Sequence, residues 1–371
     1  MSQHARAARL LASGLLALAL GACGLSGPDS SQEVSSAGSR TSAAPELAAT
    51  TPLTDPRDWT GPTSAVVEDP EVHPVADDPS PHLPVTVTDA QGTEVTITDT
   101  SRILALDIYG TLSRTVFELG LGDRVVGRDI STQFAEAKDL PLVTRGGHDL
   151  NAEAILALDP TVILTDTSLG PWDVVLQMRD AGIPVVVLDS HRGLDNVGSL
   201  TRSVAEALGV PQAGRKLAQR TETEVDDVRQ QIDKVAPRSL ADKLRTVFLY
   251  VRGKSGIYYM FGEGSGADSL INALGAYDVA DEIDWSGMRP ITDEGIIAAQ
   301  PDVVLMMTDG LKSAGGVDGL LERLPALAQT PAGENRRFVD MSDSEILGYG
   351  PLTAQVLNAL AVAIYAPEAV S

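Results

Sequence analysis

The chain has 371 residues, enough for two domains of ordinary size, and a formal net charge of −23 at pH 7. Nucleic-acid phosphates demand lysine and arginine patches, so a chain this acidic argues against nucleic acid as a partner. Its one cysteine, Cys23, excludes an intramolecular disulfide and a thiolate metal cluster.

Residues 1–22 read as a secretion signal. Arg6 and Arg9 supply the positive start, and Leu10 to Leu20 is an apolar run too short for a permanent bilayer span. The run ends in Leu20-Gly21-Ala22-Cys23, followed by Gly24. This resembles the lipobox of bacterial lipoproteins, which implies cleavage before Cys23 and a lipid on its sulfur. Several acyl chains on one residue make a lasting anchor. Residues 23–83 are rich in Ser, Thr, Ala and Pro and have no hydrophobic period. Such a stretch buries too little apolar surface to fold, so it is expected to be a disordered, lipid-anchored tether. His73 and His82 fall in it and are expected to be solvated.

Folded sequence begins at Pro84. Val85–Thr88 and Thr93–Ile97 around Asp89-Ala90-Gln91-Gly92 predict a hairpin. Arg102–Asp107 is the first buried strand, a helix follows Tyr109-Gly110, and Arg124–Arg128 is another short strand. Then comes Arg145 to Asp166, RGGHDLNAEAILALDPTVILTD: a Gly-Gly turn carrying His148, a short helix capped by Asn151, and a buried strand. The motif returns at Thr292 to Thr308, where Glu153, Ile155, Ala157, Pro160, Val162, Leu164 and Thr167 recur as Glu294, Ile296, Ala298, Pro301, Val303, Leu305 and Thr308. Arg102–Gly110 likewise echoes Arg245–Gly253. Between the copies, Gln212–Val235 has one narrow apolar stripe at Leu217, Val225, Val228 and Ile232, the pattern of a helix lying along a core.

These features predict an α/β fold of two Rossmann-like lobes with mostly parallel sheets, joined by one long rigid helix, with a ligand cleft between them. The expected boundaries are 84–210 for the first lobe, 211–237 for the connecting helix and 238–371 for the second lobe.

Ligands of open parallel sheets sit beyond the carboxyl ends of the strands. Tyr250 and Arg252 end the second lobe's first strand and, two apart, point to the same side. A guanidinium beside a phenol favours the phenolate, which is a ligand of haem iron in some proteins. His148, on its glycine turn, supplies an imidazole, a usual axial ligand of haem. Together they form a pair for the two faces of one flat ligand. No catalytic motif accompanies them, so binding rather than turnover is expected.

The lipobox, the RILAL start, the two E-x-I-x-A-x-x-P-x-V-x-L stretches and the long helix resemble the substrate-binding lipoproteins of ABC importers for siderophores, cobalamin and haem. Within that group, RGGHDLNAEAILALDPTVILTD and FLYVRG…IYYMFGEGSGADSLI are similar to the HmuT-type haemin-binding lipoproteins. The resemblance implies His148 and Tyr250 as axial ligands of haem b, the transported ligand, with Arg252 hydrogen-bonding the tyrosine. It implies Glu153 and Glu294 as docking residues for an ABC permease. Met307, Tyr349, Trp172, Arg289 and Tyr258 are expected to line the pocket. Tyr258 and Tyr259 lie close enough to Tyr250 to leave the choice of tyrosine open. Further implications are a permease with its ATPase as partners, upstream haem-binding surface proteins, and a lipid-anchored place on the outer face of the cytoplasmic membrane. The rivals are a ferric siderophore or cobalamin receptor of the same fold and a secreted tetrapyrrole-processing enzyme.

Overall fold

The computed structural model describes residues 42–371, so the expected signal peptide of residues 1–22 and the lipid site at Cys23 lie outside the described residues. The first described segment corrects the expectation of a disordered tether. Strand β1 (Thr63–Ala65) adds in parallel to β-structure near the C terminus, and Ala44, Leu47, Ala65 and Val67 are buried in the C-terminal core. The Leu47 N–H donates to Asn358 Oδ1 at 2.9 Å, and Asn358 Nδ2 donates back to the Pro45 carbonyl at 2.9 Å. The segment then changes lobe within one residue. Asp69 N–H donates to Gln355 Oε1 at 3.2 Å, whereas the Pro70 carbonyl accepts from Arg114 Nη1 at 2.6 Å. Beyond it, His73 N–H donates to Glu118 Oε2 at 3.1 Å, Val75 is buried in the N-terminal core, and His82 N–H donates to the Gly209 carbonyl at 2.8 Å. Composition measures whether a stretch can fold by itself; here the apolar surface and the donors are supplied by the folded body.

The N-terminal lobe opens with the predicted hairpin, β2 (Val85–Thr88) and β3 (Glu94–Ile97), in which Asp89 Oδ1 accepts from the N–H groups of Gln91 and Thr93. There follow β4 (Ile103–Leu106), α1 (Thr111–Val116), the two-residue strands β5 (Thr144–Arg145) and β6 (Asp149–Leu150), α2 (Ala152–Ala157), β7 (Val162–Thr165), α3 (Trp172–Asp180), β8 (Val185–Val187) and α4 (Val197–Ala207). Strands β4, β7 and β8 make a parallel sheet in that order. Ile103, Ala105, Val162, Leu164 and Val186 enter one core; Leu104, Leu106, Ile163 and Val185 enter another. Both faces are therefore covered, as continuous apolar strands require. The strand expected at 124–128 is instead two isolated bridges, because Val125 pairs with Ile103 and Arg128 with Leu142, and no ladder can run through both.

Helix α5 (Pro211–Val235) spans the two cores: Ala213 and Leu217 lie in the N-terminal one, Val225 and Ile232 in the C-terminal one. The predicted stripe is thus the seam by which one helix holds both lobes.

The C-terminal lobe contains β9 (Arg245–Arg252), β10 (Ile257–Phe261), α6 (Ala267–Ala273), β11 (Tyr277–Asp278), α7 (Val279–Glu282), β12 (Met288–Pro290), α8 (Asp293–Ala299), β13 (Val303–Met307), α9 (Thr308–Ala314), α10 (Gly316–Arg323), α11 (Pro331–Glu334), β14 (Phe338–Met341) and α12 (Thr353–Tyr365). Its sheet runs β1-β14-β13-β9-β10-β12, with β11 beside β9. The ladders are parallel as far as β9 and antiparallel from β9 to β12; for β9 and β10 the turn at Gly253–Gly256 is too short for a crossover. The repeat is real in three dimensions: Asn151 and Thr292 each cap their helix, accepting from the N–H of Ala154 and Gly295, and each helix leads into an inner strand.

Asp278 caps α7 through Oδ1, which accepts from Ala280 N–H at 2.9 Å, while its buried Oδ2 has no partner. Burial pushes this carboxyl from 3.8 up to about 7. A raised acid pKa favours the fold below 3.8, and that benefit is lost as pH rises through 7. Asp278→Asn keeps the cap oxygen and removes the titration. It is expected to raise stability at pH 8 by on the order of 2 kcal/mol and by almost nothing at pH 4. Urea unfolding at the two pH values checks this; equal gains at both would refute the assignment.

Candidate functional site

The carboxyl ends of β4 and β7 are held by a buried ion network. Arg192 Nη2 lies 3.2 Å from Asp107 Oδ2 and 2.7 Å from Asp166 Oδ2, all three side chains being inaccessible to solvent or nearly so. Arg192 Nη1 donates to the Asp189 carbonyl at 2.7 Å, and the guanidinium carbon sits 5.2 Å from the centre of the Tyr109 ring. Burial raises the Asp107 pKa, and Arg192 opposes the rise. Asp129, whose Oδ2 accepts from Asp107 N–H, is pushed up to about 7 by burial and by the Asp107 charge. Tyr109 continues from this frame and packs against the C-terminal core, so it closes the base of the cleft.

Tyr250 projects from the far end of β9. Its ring stacks on Phe261 with centroids 5.9 Å apart, and Phe261 stacks in turn on Phe248 at 5.1 Å. The Arg252 guanidinium covers the ring on another side, 4.4 Å from its centroid. Arg252 is itself tied to Asp343 Oδ2 at 3.0 Å and donates to the Val251 carbonyl. The expected arginine–tyrosine partnership therefore takes the form of a cation lying over the ring, and no Arg252 hydrogen bond to the phenol oxygen is present. Asp343, which fixes the guanidinium, was not legible in the sequence; it lies 91 residues further on, at the end of β14.

His148 sits at the tip of the β5–β6 turn, after Gly146 and Gly147 at φ +56° and +100°, conformations that favour glycine. His148 is exposed. Partial burial lowers its pKa from 6.5, and the Arg252 charge lowers it further, while Asp149 opposes.

The β9–β10 register sets Tyr258 apart from the other two tyrosines. Tyr259 stands directly opposite Tyr250, and both pack on the same core; Tyr258 pairs with Val251 and packs on the opposite face. Arg289 pairs with Met260, also on that opposite face, stacks on Trp285 at 4.9 Å and donates to the Ser286 carbonyl. Tyr258 and Arg289 therefore do not line Tyr250's side of the sheet. Tyr349 is corrected as well: it is 2% exposed, and its hydroxyl is spent on the Gly266 carbonyl. Met307 packs on the Tyr250 face. Trp172 begins α3, close to His148, because Gly170 bridges to Asp149. Cavities of about 310 and 810 Å³ lie between the lobes; the smaller reaches Tyr109 and Glu345, the larger reaches Gln133 and Asp343. Neither is lined by His148 or Tyr250. Among the described residues no group of three or more His, Cys, Asp or Glu could hold a bare metal ion. An imidazole with a phenol would suit an iron already held by four ligands of its own rather than a bare ion.

The heme binding protein HmuT superposes with a TM-score of 0.80 at 42% identity, covering 84% of this chain and 99% of that one. Variants of it with a histidine, a tyrosine or an arginine changed to alanine have also been solved. An uncharacterized ABC transporter substrate-binding lipoprotein of Bacillus subtilis, YvrC, is 26% identical over 76% of this chain and 86% of its own length. A cobalamin-binding protein of Halobacterium salinarum is 26% identical over 66% of this chain and 64% of its own. The family described as periplasmic binding protein matches residues 108–345, and with that match and the HmuT likeness the chain belongs to the periplasmic binding protein family.

Proposed function

We propose that this chain is the lipid-anchored receptor of an ABC importer that binds haem b between its lobes and hands it to the permease. The observation that carries this is the likeness to HmuT, a heme binding protein, at 42% identity over 84% of the chain, in a chain that sets His148 on a glycine turn in one lobe and Tyr250 beneath Arg252 in the other. His148 and Tyr250 are the two axial ligands, Arg252 holds the tyrosine, and Met307 and Trp172 border the porphyrin. Glu153 and Glu294 dock to the permease, whose ATPase drives import. The lobes are residues 84–210 and 238–371 about the helix of 211–237. Cys23 carries the anchor on the outer face of the cytoplasmic membrane, and haem-binding surface proteins lie upstream. Binding without turnover fits the likeness to HmuT, a heme binding protein.

The test is an absorption titration with haemin. One equivalent is expected to give a saturable Soret band, and absence of saturable binding would overturn the reading. Neutral imidazole is the form that binds iron, and its pKa lies below 6.5. The affinity of the wild type relative to His148→Ala should therefore be constant from pH 8 to about 6.5 and fall only below that, as His148 takes a proton. The likeness to a cobalamin-binding protein makes cobalamin the second ligand to titrate; tighter binding of cobalamin than of haemin would favour that reading.

A further inference from the structure

The repeated segments share more than a glutamate. At offset 141, Glu153 and Glu294 are both exposed, Ile155 and Ile296 are both buried, and Leu156 and Ile297 are both exposed. Leu156 is 41% exposed and Ile297 48%, two of only six large hydrophobic residues exposed among the described residues. Each stands three residues after its glutamate, and on a helix that spacing puts the two on one face. A helix that needs its apolar side for the core already has Ile155 or Ile296 for that purpose. An aliphatic side chain in water on the other side has no internal task, and the same choice at the same place in both lobes makes it a feature rather than scatter. Both helices also start beside the cleft: α2 follows the His148 turn, and α8 follows β12, which pairs with β10 next to the Tyr250 strand.

We propose that Leu156 and Ile297 are paired apolar anchors of one docking surface, each flanked by its acid. The occupant is a membrane protein with two equivalent seats, each an apolar recess beside a cationic group. The repeat calls for two matching seats. The exposed acids Glu153, Asp293 and Glu294, on a chain of net charge −23, call for cations around them. A partner built from two like subunits offers both. This rests on the permease reading above and adds to it the part that charge alone does not supply, since exposed ion pairs contribute little and buried aliphatic groups contribute more.

The test uses the full chain loaded with haemin and titrated onto a haem ABC importer, permease dimer with ATPase dimer, in proteoliposomes; ATPase stimulation is read. Leu156→Ser with Ile297→Ser is expected to raise the half-saturating concentration at least about tenfold, the equivalent of 1.4 kcal/mol, with the Soret band unchanged. Leu240→Ser, at an exposed site outside the repeat, is the control and should change nothing. An unchanged half-saturation in the double variant, or an equal loss in the control, overturns the proposal. So does a change in the chain's own sedimentation on introducing the two serines, which would make the patch a self-contact. Glu153→Ala with Glu294→Ala separates the layers: if these lose stimulation while the serine variant does not, docking stands and the apolar anchors fall. If neither pair changes it, the docking reading falls as well.

Discussion

Tyr250→Phe is expected to abolish the ligand field of bound haemin on one side while leaving the protein folded. The ring is kept, so its stack on Phe261 and the covering Arg252 survive; only the oxygen proposed to reach iron is removed. Loss of an outer partner of a metal ligand costs roughly 10–100-fold in affinity, and loss of the ligand itself should cost more than that. His148→Ala should act similarly from the other lobe, and its pH profile should lose the fall below about 6.5 that the proposed protonation of His148 produces. Arg252→Ala is the informative third member. The guanidinium is joined to Asp343 and does not bond the phenol oxygen, so its loss should weaken binding less than either ligand change does. Absorption titration and the shape of the Soret band check all three. Unaltered spectra in both the Tyr250→Phe and the His148→Ala variants would remove haem from this cleft.

Arg192→Met should be the most destabilising single change in the N-terminal lobe. It removes the only cation between Asp107 and Asp166 and leaves two buried carboxylates facing each other. Breaking a buried pair by deleting one partner costs about 3–5 kcal/mol, because the remaining charge cannot recover its hydration. Methionine keeps most of the volume, so the loss measures charge more than packing. The bereft carboxylates can escape by taking protons, so the penalty should be smaller at pH 5 than at pH 8. Urea midpoints at the two values decide; a loss below about 1 kcal/mol at pH 8 would mean that the network is not what frames the cleft.

Local periodicity made β9 and the α2–β7 unit easy to read, since each encodes its own burial: the Thr246–Val251 run has no polar interruption in its middle, and Asn151 announces its helix. The seam of α5 was visible for the same reason, because Leu217, Val225 and Ile232 repeat at helical spacing. Pairing was less legible. Which of the tyrosines share a face with Tyr250 depends on a register set by the Gly253–Gly256 turn, and the partner of Arg252 depends on where β14 ends. Residues 42–83 misled because their apolar residues are sparse and find their counterparts in distant elements such as α12. No composition window contains both halves of such a contact.

That segment has a mechanical consequence. The polypeptide passes from one half of the molecule to the other at Asp69–Pro70 and again along α5, so the halves are stitched at two places rather than one. A body pinned twice resists twisting as well as gaping, which favours exchange of cargo through a gap that keeps its width. A shortened form starting at Pro84 would cut the first stitch and wet the surfaces that Leu47 and Val67 now keep dry.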